Sequence, residues 1–368
     1  MDAPFELSAA TRWRVAFARV GTVALAVVPV LVLGQMMRLA VRVHSLAFDA
    51  ASSYVPAARD LLDGRSPYHP REIARGVAFV SPPVAAFLFV PFAALPTTAA
   101  EAAMSVLMLA AVLAALGVLG VRDWRCYALA ALSAPLVEEF QTANLSAVLA
   151  LGAALLWRYR DRPAAAGAAA GLPVAVKLFG WPMIVFLLVT RRFRAAAWSI
   201  ALAAAGIVLP WAAVGFTGAR GYPHLLRSLD VVERGQVYSV GALVARFGSW
   251  TAADALTCVL GAALLVVAWR SSNSARAFVA CTATMLVMTP VVWMHYLVLL
   301  FVAIAVVSPS LTSLWAFPLA LWISAREGPA HLWQHVFVLA VEAVVLVSSY
   351  RAAQPQARTD ARAYATTA

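Results

Sequence analysis

The sequence predicts an all-α, polytopic membrane protein, and three observations carry that prediction. The first is composition: of 368 residues, 63% are hydrophobic and 12% charged, with a mean hydropathy of +0.83, too apolar for a soluble chain of this size. The second is pattern, because long Ala, Leu and Val runs recur from about residue 20 to residue 350 between short arginine-bearing stretches. The third is where the charge sits. Most arginines stand at the ends of apolar runs, so the net charge of +11 reads as membrane orientation and gives no reason to expect a nucleic-acid partner.

Taken in order, the first apolar helix runs from Val20 to Met37 behind Arg12, Arg14 and Arg19, which puts the N-terminus in the cytoplasm and suits an uncleaved anchor. A polar stretch, 42–78, then lies outside and holds Asp49, Asp60, Asp63 and Glu72. Within it, Ala50 to Leu62 reads as a surface helix with Tyr54, Ala57, Ala58, Leu61 and Leu62 on one stripe and Gly64 as its stop. Asp49 precedes it as a natural N-cap; a carboxylate there is equally placed to take a proton from a hydroxyl. Apolar segments follow at about 80–96, 101–121, 126–137, 144–157, 164–189, 195–216, 250–269, 276–292, 294–308, 309–325 and 331–350, giving roughly 10–12 membrane segments in all. The arginine pattern leaves the direction of the crossings between 101 and 157 open.

The segment around Lys177 departs from this pattern. Arg158, Arg160 and Arg162 precede it and Arg191, Arg192 and Arg194 follow it, so both flanks belong on one side. Pro173 and the Gly180-Trp181-Pro182 break divide it into pieces of about 10–13 residues, about 15–20 Å each, too short for a hydrocarbon core of about 30 Å. Two half-helices meeting near mid-depth satisfy both facts, with Lys177 at their turn. Lys177 is also the only lysine among 28 basic residues. A sequence that otherwise writes arginine has a place there for a compact ammonium, and an ionisable group at membrane depth is a functional candidate; the competing reading is a lysine that snorkels to an interface.

The second polar stretch, 217–249, again falls outside and carries Tyr222, His224, Asp230, Glu233, Arg234, Gln236, Tyr238 and Ser239. His295 comes out near the same face beside Trp293 and Tyr296, where an interfacial aromatic belt is the plain alternative. Cys126, Cys258 and Cys281 lack ligand spacing and read as core residues. Glu342, alone in the last apolar run, is assigned a structural role. Residues 1–350 form one membrane domain, and 351–368, with Arg358 and Arg362, a short cytoplasmic tail. No metal-ligand spacing, phosphate loop or dinucleotide fingerprint occurs, so neither a metal nor a soluble cofactor is expected and any activated donor would come from the bilayer. A lipid phosphate needs a cation near the membrane boundary, for which Lys177, Arg75 and protonated His295 are candidates.

Five strings, in order, resemble glycosyltransferase family 87, the polyprenol-phosphate-mannose-dependent enzymes of the GT-C type. Asp49, Tyr54, Ala57, Ala58, Leu61, Leu62, Gly64 and Tyr68 resemble its first-loop signature. Ser81-Pro82-Pro83 with Pro91 resembles a Tyr-Pro-Pro segment, and Gln141-Thr142-Ala143-Asn144 a Gly-Gln-x-Asn element. Lys177-Leu178-Phe179 with Trp181-Pro182 and Arg191-Arg192 is similar to the family's lysine segment, and Thr289-Pro290 with Trp293, His295 and Tyr296 to its Ser-Pro-x-x-Trp-x-His-Tyr. The resemblance implies a GT-C-like fold, an outward active site in the plasma membrane, and transfer of a hexose, mannose above others, from a polyprenyl-phosphate donor to a lipid or glycan acceptor. It implies Asp49 as the base, with Lys177, His295, Tyr54, Arg75, Gln141, Asn144 and Tyr296 around the substrates. Broken helices and a mid-depth cation would equally suit a transporter or lipid flippase, the reading to be told apart.

Overall fold

The computed structural model describes residues 9–42, 46–233, 235–324 and 329–353, with side chains from residue 20 onward. Arg234, Arg358 and Arg362, and the side chains of Arg12, Arg14 and Arg19, lie outside what it describes. Among the described residues the structure is helical throughout, with no strand. The helices are α1 (Ala9–Arg42), α2 (Val55–Leu62), α3 (Pro83–Ala93), α4 (Thr97–Val118), α5 (Trp124–Ala131), α6 (Ala134–Thr142), α7 (Ser146–Tyr159) and α8 (Pro163–Val176). They continue with α9 (Pro182–Val189), α10 (Phe193–Ala213), α11 (Tyr222–Glu233), α12 (Val240–Ala245), α13 (Trp250–Arg270), α14 (Ser274–Val287), α15 (Leu299–Val307) and α16 (Leu332–Ala352).

Five of these are long and apolar enough to cross a membrane: the Val20–Arg42 part of α1, then α4, α10, α13 and α16; α6 and α7, bent by 119°, make a sixth if taken as one span. The remaining apolar segments are broken into shorter pieces, which is how roughly 10–12 sequence segments become fewer full spans. The reasons are local. The stretch expected as one helix over 126–137 is split at Ser133, whose hydroxyl caps α6 by accepting from the Leu136 amide, with Pro135 locked into the first turn. The stretch expected over 309–325 is instead a 3₁₀ helix, Ser313–Ser324, containing Pro318. On α1, Val23 and Leu31 face outward, stable in lipid but not in water.

The segment around Lys177 doubles back. α8 runs parallel to α10, because Gly167 faces Ala195 and Trp198, Gly171 faces Ser199, and Gly206 faces Ala175. Two helices consecutive but for α9 can run parallel only if α9 returns the chain to its starting end. Asp161 before α8 and Arg192 after α9 accordingly bond at 2.7 Å. At 1.5 Å per residue α8 rises about 21 Å, which stops it inside a bilayer-sized bundle. Trp157, Phe186 and Phe278 pack ring against ring, so the ends of α7 and α9 and the start of α14 share one end of the molecule. Arg276 donates to the carbonyl of Ala353, which brings the end of α16 there too.

Both polar stretches fold at the opposite end. The first begins with a π-helical turn, Ala50–Tyr54, that runs into α2 with Pro56 at its second position; Gly64, at φ +67°, ends it. Tyr54, Ala57 and Ala58 are buried as the stripe requires, but Leu62 is 61% exposed, because the helix ends before a further turn could cover it. Cys126 and Cys281 are buried, whereas Cys258 is exposed on α13, a helix with one face turned away from the bundle.

Candidate active site

Three helix breaks meet at one point. The first follows α1, where Ala47 takes a left-handed φ of 51° two residues before Asp49. The second is the bend between α6 and α7, where Ala143, at φ 50°, hands the chain to Asn144. The third is Lys177, extended at φ −145° between α8 and the Leu178–Gly180 turn. An alanine in the left-handed region costs about 1–3 kcal/mol and persists only where the surroundings impose it. Two of them beside two converging polar residues fit a built site.

At the convergence Asn144 donates from Nδ2 to Asp49 Oδ2 at 2.5 Å, and Lys177 Nζ donates to Asn144 Oδ1. The amide has only one workable orientation, since a carboxylate solely accepts and an ammonium solely donates. The same Oδ1 accepts from the amide and hydroxyl of Ser146, tying the site to the first turn of α7. Asp49 makes no side-chain cap bond to its own helix, so the N-cap expectation is replaced: the carboxylate has turned to Asn144, 95 residues away. Lys177 Nζ also lies 4.0 Å above the ring of Tyr296, a favourable place for an ammonium, and Phe179 stacks on that ring at 4.8 Å with its own ring centroid 5.5 Å from Nζ.

These residues open onto a cavity of about 740 Å³. All eight sequence candidates line it: Asp49, Tyr54, Arg75, Gln141, Asn144, Lys177, His295 and Tyr296. They are not equivalent. Arg75 is exposed at the rim. Gln141 reaches back to Met36 of α1 at 3.5 Å. Tyr54 is stacked on Phe89 at 4.8 Å and is part of the cavity wall. His295 is 2% exposed with Nδ1 3.1 Å from Glu138 Oε1, and its Nε2 has no hydrogen-bond partner among the described residues. That burial speaks against the belt alternative, because a belt residue keeps its polar end wet.

Sequence reasoning did not single out Glu138, Glu139 or Glu233 for the site. Glu138 lines the cavity and pairs with His295. Glu139 is wholly buried, and it lies within electrostatic reach of Lys177, Ser146 and Asp49. Two adjacent glutamates at the end of an apolar run were a usable signal. Glu233 reaches the cavity from α11, and nothing local in its loop marked it. A smaller hollow of about 290 Å³ beside α2 has its central charge already paired: Asp60 bonds Arg65 at 2.9 Å and His69 at 2.8 Å.

The fold and this cavity define a polytopic membrane protein with an acid, an amide and an ammonium joined in one half-buried polar site, an arrangement able to move a proton and to hold an anion. Residues 79–294 match glycosyltransferase family 87, more than half of the chain, and the chain belongs to that family. It is therefore a membrane glycosyltransferase, which sets the transporter and flippase reading aside. The matched region contains Gln141, Asn144, Lys177 and Glu233; Asp49, Tyr54 and Arg75 precede it, and His295 and Tyr296 follow it directly. No curated protein and no solved structure matches the chain.

Proposed function

We propose that this glycosyltransferase moves a hexose, mannose above others, from a polyprenyl phosphate to a hydroxyl of a lipid or glycan acceptor at the outer face of the plasma membrane. The observation that carries the reading is the Asp49–Asn144–Lys177 chain at the cavity wall. Asp49 takes the proton of the acceptor hydroxyl as its oxygen attacks the anomeric carbon. The bond from that carbon to the phosphate oxygen breaks on the opposite side, the configuration inverts, and the lipid phosphate leaves with the electron pair. Negative charge moves during this step from Asp49 towards the leaving phosphate. Fixed positive charge stabilises such a shift, and Lys177 is the cation held there.

Asn144 holds Asp49 by one oxygen and leaves the other for the hydroxyl. Its bond to a charged partner has the strength of a charge-assisted hydrogen bond. Arg75 at the rim suits a phosphate still entering the cavity. The reading puts both termini on the cytoplasmic side and the cavity at the outer face; the arginines at the end shared by Asp161, Arg192 and Arg276 support it.

The test is transfer from a radiolabelled polyprenyl-phosphate hexose by membranes carrying wild type or Asp49→Asn. A general base contributes about 10²–10⁴-fold, so the variant should lose at least about 100-fold at matched expression. Full transfer by Asp49→Asn would remove the proposed mechanism.

A further inference from the structure

Glu138 and His295 come from distant parts of the chain and meet at the cavity wall. α6 packs against the 3₁₀ turn Met294–Val298, and across that contact Glu138 Oε1 lies 3.1 Å from His295 Nδ1. The two side chains differ in their surroundings, Glu138 being 32% exposed and His295 2%. Contact with water keeps Glu138 a carboxylate, which solely accepts, so the proton of this bond belongs to Nδ1. The His295 ring also meets Tyr296 edge to face at 4.9 Å. The same Tyr296 ring has the Lys177 ammonium 4.0 Å from its centre.

Burial and charge decide the state of the other ring nitrogen. Nε2 has no hydrogen-bond partner among the described residues. A bare N–H on a cationic ring would cost far more there than a bare lone pair, and Lys177 already brings one positive charge to Tyr296. A neutral ring with its proton on Nδ1 meets both conditions. We infer that Glu138 is a positioning residue: it holds His295 as the neutral Nδ1–H tautomer, so that Nε2 carries a lone pair fit to accept from a hydroxyl of a sugar in the cavity. A lone pair and a phosphate oxygen both accept, so His295 in this state does not hold the lipid phosphate, and that charge falls to Lys177. The inference rests on the proposed function in taking the cavity to hold a sugar. It adds the chemical group that His295 recognises and the side chain that decides it.

The tautomer is read directly by NMR on the full-length protein, labelled with ¹³C,¹⁵N-histidine and held in phospholipid nanodiscs. The chain has six histidines, and His295→Asn assigns the signal by its loss. At pH 7 wild type should show His295 neutral and protonated on Nδ1. Glu138→Gln should lose that preference, because an amide can both donate to the ring and accept from it. An imidazolium or an Nε2 proton in wild type would overturn the inference, as would an unchanged tautomer in Glu138→Gln. Activity gives the second readout. Transfer from a labelled polyprenyl-phosphate hexose should fall at least about tenfold in Glu138→Gln, yet no further when Glu138→Gln is added to His295→Asn, because a residue acting through another has no separate loss to contribute. Losses that multiply would overturn the positioning role. With the losses shared, a raised donor KM in Glu138→Gln places the hydroxyl on the donor sugar, and an unchanged donor KM places it on the acceptor. Full transfer by Asp49→Asn together with the Nδ1 tautomer would overturn the proposed function and leave the tautomer standing; an inactive Asp49→Asn with an Nε2 proton on His295 would do the reverse.

Discussion

At Lys177 the ammonium is enclosed by two fixed neighbours, the Asn144 amide oxygen and the face of Tyr296, with Phe179 stacked on that ring. A guanidinium is a wide planar fork and cannot occupy the point that an ammonium fills between an amide and a ring. Lys177→Arg is therefore expected to lower transfer nearly as far as Lys177→Ala, with both proteins folded and inserted. Near-normal turnover by the arginine variant at matched expression would return Lys177 to the role of a snorkelling side chain, since arginine snorkels equally well. This position was legible in the sequence because it is an outlier of composition, one lysine among 28 basic residues. What Lys177 touches was not legible. Its partners lie 33 residues upstream and more than a hundred downstream, and no periodicity along a chain encodes such pairings.

The re-entrant pair α8 and α9 sets the height of Lys177, and its contact with α10 sets its tilt. Gly171 is where the backbones come closest: a side chain there would run into the backbone of Ser199, which has no rotamer with which to yield. Gly171→Val should cost about 1–3 kcal/mol, the usual range for overpacking, lower the thermal unfolding midpoint, and reduce transfer by displacing Lys177. Gly21→Val is the matched control, because nothing stands within 4 Å of a side chain built there. Equal midpoints for the two variants would show that the α8–α10 contact is looser than its geometry implies. The doubling-back itself was readable from arginines on both flanks and from Pro173. The parallel run of α8 beside α10 was not, since it depends on which small residues face each other across two helices. Ser133 and Pro135 likewise mark a break once the fold is known, yet hydropathy alone runs smoothly through them.

For the molecule as a whole, the arginine-bearing ends predict a sidedness that labelling can check. In a variant without Cys126, Cys258 and Cys281, a cysteine at position 230 should react with an impermeant maleimide added outside cells, and one at position 160 only after permeabilisation. The opposite result would invert the topology and move the cavity to the cytoplasmic face. The sequence by itself determined the fold class, the break around Lys177, the basic end and the polar end, because hydropathy, proline and arginine act on segments a few residues long. Only the tertiary structure decided that the breaks after α1, between α6 and α7, and at Lys177 meet. It joined Asp49 to Asn144 across 95 residues and His295 to Glu138 across 157, and it brought Glu233 to the cavity wall. The reason is physical: a buried polar group must find its partner wherever packing brings one, and packing is settled by the whole bundle and not by the stretch of chain on which the group stands.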